Sequence, residues 1–225
     1  MNSLLKVFPV LILLVAVSVA QTPSALESNP RGWTDILPDA SLKGWTRAAI
    51  PPTDPLKDFA GWKVDKASRT LLCEGDKLGH EWLRWDKELS DFIVHAEWRF
   101  RKLEGEPRYN SGVFVRNSKD AVIWHQGQTG AGGGYLFGNT PVAGVVKRVS
   151  LREKMTENRV KPAGEWNIYE IRCDGRTIAL WVNGAVVSEF TECEVPKGYL
   201  GLEAEGFPIE FRNVKVKALG RASIR

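Results

Sequence analysis

The sequence predicts an all-β fold, a sandwich or jelly roll of two antiparallel sheets with at most one short helix. Three observations predict it: period-two alternation of apolar and polar side chains over short segments, an Asn-Gly dipeptide between two of them, and Gly and Pro punctuation where a parallel sheet would need long helical crossovers. With 43% hydrophobic residues, nine Trp and nine Phe among 225 positions, the chain can bury a substantial core. Disorder and a disulfide-dependent miniprotein are therefore excluded as classes.

The clearest strand sets Phe92, Val94, Ala96, Trp98 and Phe100 on one face and Ile93, His95, Glu97 and Arg99 on the other, because successive side chains of a strand point to opposite faces. Further strands are read at Val113 to Arg116, Val122 to Gln126 and Asn167 to Cys173. Ile178 to Val182 then runs into Asn183-Gly184, a strong hairpin signal, and Val186 to Phe190 returns. Two more follow, Tyr199 to Ala204 and Pro208 to Lys217. Ser150 to Val160 reads as the one helix, with Ser150 and Glu153 as a capping box. Gly127 to Gly144 holds seven glycines and reads as a long mobile loop. It lacks the strand-to-helix context and the Lys-Ser/Thr of a phosphate loop.

At the N-terminus Lys6 precedes an apolar run from Val7 to Val19 and small residues at Ser18 and Ala20, the pattern of an export signal cleaved after Ala20. Residues 1–20 are thus expected to be a signal peptide, 21–30 an exit linker, 31–219 one sandwich domain and 220–225 a tail. The run is too short to span a bilayer, which takes about 20 residues. A secreted or periplasmic protein without a membrane span is expected. Three widely spaced cysteines, Cys73, Cys173 and Cys193, exclude a Cys-cluster metal site. They are compatible either with a Cys173–Cys193 bridge or with buried thiols. The formal net charge is +4, and +3 once Lys6 leaves with the signal, spread over a mixed-sign surface that implies no nucleic acid.

The residues that alternate with the core set form an unusual list: His95, Glu97 and Arg99, Phe114 and Arg116, Glu170 and Arg172, Trp181, Glu203 and Glu205, Glu210 and Arg212. Carboxylates, guanidinium groups and Trp suit sugar, whose hydroxyls need donors and acceptors and whose apolar ring face stacks on aromatic side chains. Each pair taken singly is also an ordinary cross-strand ion pair. Trp124, His125, Gln126 and Gln128 add an imidazole and amides at the start of the Gly-rich stretch. No paired-acid run of the sandwich glucanases appears. His80, His95 and His125 lack zinc-protease spacing.

Several stretches together resemble one family. They are Asp39 to Trp45, "DFIVHAEWRF" at Asp91 to Phe100, "YNSGVFVR" at Tyr109 to Arg116, "PAGEWNIYEIRCDG" at Pro162 to Gly175, "WVNG" at Trp181 to Gly184 and "IEFRNVKVK" at Ile209 to Lys217. In order and spacing they resemble the 3-keto-disaccharide hydrolase domain, a concanavalin A-like jelly roll. Members carry Gly-Tyr-Glu-x-Gln after the Asn-Ser-Gly strand, where this chain reads Ile123-Trp124-His125-Gln126-Gly127-Gln128. The Glu is missing, and Gln126 or Gln128 takes the place of the Gln. Glu203, Ala204 and Glu205 stand where many members have a Gln and a His, as if an acid had moved to the neighbouring strand.

The resemblance implies hydrolysis of 3-keto glycosides or disaccharides by elimination and hydration. A C3 ketone acidifies the C2 proton, so one base, one enolate stabiliser and one acid suffice. The expected catalytic set is His125 or Glu203 as base, Arg116 as stabiliser and Glu97 or Glu205 as acid. Asn110, Gln126 and Gln128 are expected to hold hydroxyls, with Trp124, Trp181, Arg99 and Arg212 as further substrate contacts. No metal or other cofactor is expected, with a loop calcium left open. The rival class is a non-catalytic carbohydrate-binding module of the same fold.

Overall fold

A computed structural model describes residues 21–58, 61–106, 108–130 and 132–220. The signal-peptide expectation and residues 221–225 of the tail lie outside the described residues. In chain order the strands are β1 (Thr34–Asp35), β2 (Trp45–Ala49), β3 (Trp62–Asp65), β4 (Thr70–Glu74) and β5 (His80–Trp85). Then come β6 (Phe92–Phe100), β7 (Gly112–Asn117), β8 (Trp124–Gln128), β9 (Leu136–Val142) and β10 (Val145–Ser150). The last five are β11 (Asn167–Asp174), β12 (Thr177–Val182), β13 (Ala185–Phe190), β14 (Tyr199–Glu205) and β15 (Pro208–Ala218).

They form two antiparallel sheets. The first has the order β13-β12-β11-β6-β15-β4-β3, with β1 also on β15; the second is β10-β9-β8-β7-β14-β5-β2. The inward residues meet between them. Phe92, Val94, Ala96, Trp98 and Phe100 of β6 are buried with Tyr169, Ile171 and Phe211 on one side and Leu83, Val113, Val115 and Leu202 on the other. Trp98 packs edge-on against Tyr169 at 5.2 Å between ring centroids. At the β12–β13 hairpin both Asn183 and Gly184 have positive φ, which matches the strand twist across a two-residue turn.

The structure redraws three of the expected segments. Ser150 closes β10 opposite Phe137, and a single 3-10 turn at Arg152–Lys154 replaces the expected helix. Leu151 is buried and its N–H donates to Leu136, while Thr156 N–H donates to Val187. Burial of Leu151 and these sheet bonds outweigh a local capping box. The Gly-rich stretch is not a free loop, since β9 and the flanking turns account for most of it. Its glycines permit close approach: a Cβ at Gly138 would lie 2.6 Å from the Trp124 carbonyl oxygen.

The 21–30 segment is packed rather than loose. Ser24 and Glu27 form a capping box on a single turn, Ala25–Ser28, and the Glu170 carboxylate accepts the N–H groups of Ala25 and Leu26 at 2.5 and 3.0 Å. Thr22 donates to Gly184 O, and Trp181 Nε1 donates to Thr22 Oγ1. The segment thereby straps part of the first sheet's outer face. All three cysteines are buried free thiols, so the Cys173–Cys193 bridge is absent. No helix among the described residues is long and apolar enough to cross a membrane.

Candidate functional site

The outer face of the second sheet holds a cavity of about 220 Å³. Its polar floor follows from strand parity and from one missing side chain. On β8, Trp124, Gln126 and Gln128 point outward, and Phe114 of β7 lies opposite Gln126. On β14, Glu203 and Glu205 point outward; on β5, His80 stands opposite Glu205. Strand β7 separates β8 from β14, so Gln126 must cross a whole strand to meet Glu203.

Gly112 makes that crossing possible, because a Cβ there would lie 2.0 Å from Gln126 Nε2. Gln126 Nε2 donates to Glu203 Oε2 at 2.5 Å and also faces Ser111 O at 3.3 Å. The other carboxylate oxygen of Glu203 meets His80 Nε2 at 2.8 Å. An imidazole–carboxylate–amide row thus runs across β5, β14, β7 and β8. Gln128 extends it sideways, donating to Asn110 Oδ1. Above the row, the Arg148 guanidinium lies over the rings of Trp124 and Phe137, at 4.7 and 4.8 Å from their centroids. No carboxylate pairs with Arg148 among the described residues.

The electrostatics favour shared protons. Burial pushes Glu203 above the usual carboxylate range, against the pull of His80 and Gln126. Burial, then the neighbouring Glu203 charge, pushes Glu205 up to about 7, with His80 holding it back. For His80, burial pulls the imidazole down, but the bond to Glu203 and the charges of Glu203 and Glu205 outweigh it and raise its pKa. One ligand atom from each of His80, Glu203 and Glu205 lies within 4.8 Å of the others. Such a trio could hold a divalent cation, although the His80–Glu203 hydrogen bond already accounts for two of its members.

Six of the residues expected in a site line this cavity: Glu203, Glu205, Asn110, Gln126, Gln128 and Trp124. Arg116 does not. Its backbone takes a left-handed conformation, φ 50°, near an irregularity in the pairing of β7 with β14, and its side chain turns inward. Fully buried there, it donates to Ser90 O, Gly175 O and Val195 O and pairs with Asp91 at 2.9 Å. His125 is also interior, as the parity of Trp124 and Gln126 requires. It bonds Thr140 Oγ1 at 2.8 Å and Val115 O at 3.2 Å. Burial lowers its pKa to about 4, which leaves the ring neutral.

Glu97, Arg99, Arg212 and Trp181 belong to the other sheet's outer face. Arg212 bonds Glu97 at 2.7 Å and Arg99 bonds Glu210 at 2.6 Å, while both guanidinium groups stack on Trp166. Trp181 is tied to the N-terminal strap. These corrections share one cause: alternation tells inward from outward but does not say on which of two sheets a strand lies. Sequence reasoning missed His80 and Arg148 as site residues. The alternation His80, Trp82, Arg84 was available for the first, whereas Arg148 lies on an exposed edge strand whose stacking leaves no local sequence signal.

Comparison with known proteins places the chain. Residues 32–217 match the 3-keto-alpha-glucoside-1,2-lyase-like domain. The chain belongs to that family. Two Parabacteroides distasonis proteins assigned as glycosyl hydrolases share its fold. They give TM-scores of 0.57 and 0.59 at 19% and 17% identity, covering 83% and 89% of this chain and 99% of each of theirs. The Bacillus subtilis carbohydrate-binding module CBM66 also shares it, with a TM-score of 0.53 at 15% identity over 78% of this chain and 96% of the module. No curated protein matches the chain. Family membership supports a carbohydrate-related function, and the structural neighbours share the fold.

Proposed function

We propose that this chain is an exported enzyme that cleaves 3-keto glycosides by elimination and hydration, using the cavity on the second sheet. The observation that carries the reading is the row His80–Glu203–Gln126, with Glu205 titrating near neutrality beside it and an unpaired guanidinium, Arg148, above. Glu203 acts as base and removes the C2 proton, made acidic by the C3 ketone. The electrons move onto the C3 oxygen as an enolate, which Arg148 stabilises. When the ketone re-forms, the C1–O bond breaks and protonated Glu205 supplies the departing oxygen with its proton. Water then adds across the resulting C1=C2 bond, so the sum is hydrolysis to 3-keto sugar and free aglycone.

Because Arg116 is interior, the reading gives the enolate-stabilising role to Arg148 instead. A pure binding module would present open aromatic faces to sugar rings. Here the guanidinium of Arg148 lies over both Trp124 and Phe137, which speaks for chemistry over a stacking platform. The test is incubation of residues 21–225 with 3-keto-trehalose and 3-keto-lactose, following glucose release. Release is expected, and Arg148→Gln should slow it by about 10²-fold, the scale of losing one oxyanion donor. A wild-type protein that binds these sugars without releasing glucose would leave the binding module as the function.

A further inference from the structure

A second and larger hollow lies at one end of the sandwich. It measures about 740 Å³ and is lined by Trp98, Phe100, Leu103 and Tyr109, with Lys102 and Lys161 at its margin. Leu103 is 41% exposed, a large apolar side chain left to water at the rim. The Tyr109 ring packs on Phe100 at 5.0 Å and on Phe207 at 5.5 Å. Trp98 is buried and its Nε1 has no hydrogen-bond partner among the described residues. Neither Lys102 nor Lys161 has an ion-pair partner among the described residues, and Glu106 and Glu165 also line the hollow.

The hollow and the 220 Å³ cavity have no lining residue in common but are lined by neighbouring stretches of chain. Tyr109 lines the first and Asn110 the second, on consecutive residues whose Cα atoms are about 3.8 Å apart. Gly130 lines the hollow and Gln128, two residues earlier, lines the cavity. Glu205 lines the cavity, and Phe207, two residues later, packs on Tyr109. Two chain segments, 109–110 and 128–130, therefore run from one recess to the other. The cavity falls below the range of about 300–1,000 Å³ usual for whole drug-sized ligands, so it suits one sugar ring and leaves the C1 substituent to extend outward.

We infer that the end hollow is the aglycone site and that it takes a phenolic ring. Leu103 and Tyr109, backed by the buried rings of Trp98 and Phe100, give an aromatic and apolar wall, on which a planar ring can lie. The two lysines and two glutamates at the margin match phenol oxygens, which both accept and donate hydrogen bonds. The substrate class is then the 3-keto glycosides of phenols, in preference to disaccharides. The placement of the leaving group rests on the elimination reading, whereas affinity of the hollow for a phenol does not.

The experiment has a binding arm and a turnover arm. Umbelliferone is titrated onto the 21–225 protein and followed by its own fluorescence anisotropy, with wild type, Leu103→Asp and Leu103→Met. Umbelliferone should bind the wild type and Leu103→Met alike and Leu103→Asp about tenfold more weakly, as expected when an apolar contact is replaced by a charge. In the turnover arm, the ratio of kcat/KM for umbelliferyl over methyl 3-keto-glucoside should fall by about the same factor in Leu103→Asp and recover in Leu103→Met. Leu103 contacts Tyr109 through its backbone, whose N–H and carbonyl meet the Tyr109 hydroxyl, so the substitution leaves that link in place. Binding that depends on Leu103 without turnover of either glycoside upholds the hollow and removes the catalytic reading. No umbelliferone binding, equal binding by Leu103→Asp, or an unchanged substrate ratio in that variant overturns the inference.

Discussion

On the outer face of the first sheet every singled-out carboxylate meets a fixed positive partner or a backbone donor. Glu97 accepts from Arg212 and Asn213 with the His95 ring 3.9 Å away, and although burial works against ionisation, these neighbours hold it down to about 2. Glu210 is lowered in the same way by Arg99 and Arg101, and Glu170 caps the N-terminal turn. On the outer face of the second sheet, Glu203 and Glu205 have each other, an imidazole and an amide, and both are raised. The two faces use the same residue types. What separates scaffold from site is whether charges are matched, since matched acids stay ionised and inert while crowded acids titrate where chemistry needs them.

The largest effect that could break this contrast is at the centre of the crowded row. Glu203→Gln should lower kcat by about 10²–10⁴-fold, the range for losing a general base, with a melting temperature close to wild type. A Glu203→Gln enzyme of normal turnover would return the row to the scaffold. Arg116→Ala should act in the opposite sense. Removing a fully buried partner of Asp91 is expected to cost about 3–5 kcal/mol of stability, read by urea unfolding, while turnover per folded molecule stays at wild type.

The pH profile sharpens the comparison further. Glu205 must be protonated to act as acid, so kcat/KM should fall as pH rises through about 7, and Glu205→Gln should remove that limb along with most of the activity. Stability follows the same sign. Glu205 is raised in the fold, so the native state binds more protons than the unfolded chain between the ordinary carboxylate value and about 7, and stability declines as pH rises through that window. The smallest effect belongs to the matched face. Arg212→Gln, at a half-exposed ion pair, should cost about 0.2–1 kcal/mol in thermal unfolding and leave glucose release unchanged.

Much of the fold was legible because its signals are local. The β6 alternation and the Asn183-Gly184 hairpin stand where the sequence places them, since both depend on neighbouring residues only. The site was legible in part. Glu203, Glu205, Gln126 and Gln128 share a cavity because each lies at an outward position on central strands of one sheet. Arg116 escaped because a single left-handed residue reverses the parity that its neighbours obey. His125 was assigned beside Gln126 although adjacent strand residues face apart. Arg148 comes from an exposed edge strand without a local signal, whereas His80 belongs to a readable alternation with Trp82 and Arg84; the sheet order brings the one over Trp124 and the other beside Glu205.

Gly112 has an effect larger than its size. It contributes no functional group, yet the space a side chain there would fill is where the Gln126 amide passes to reach the acid two strands away. A lone methyl at that position would meet the buried Gln126 side chain from Cγ to Nε2 at 2.0–2.5 Å, so that side chain would have to leave its place. Glu203 would lose the amide donor on its Oε2, so a residue without a side chain governs the contacts of the buried carboxylate.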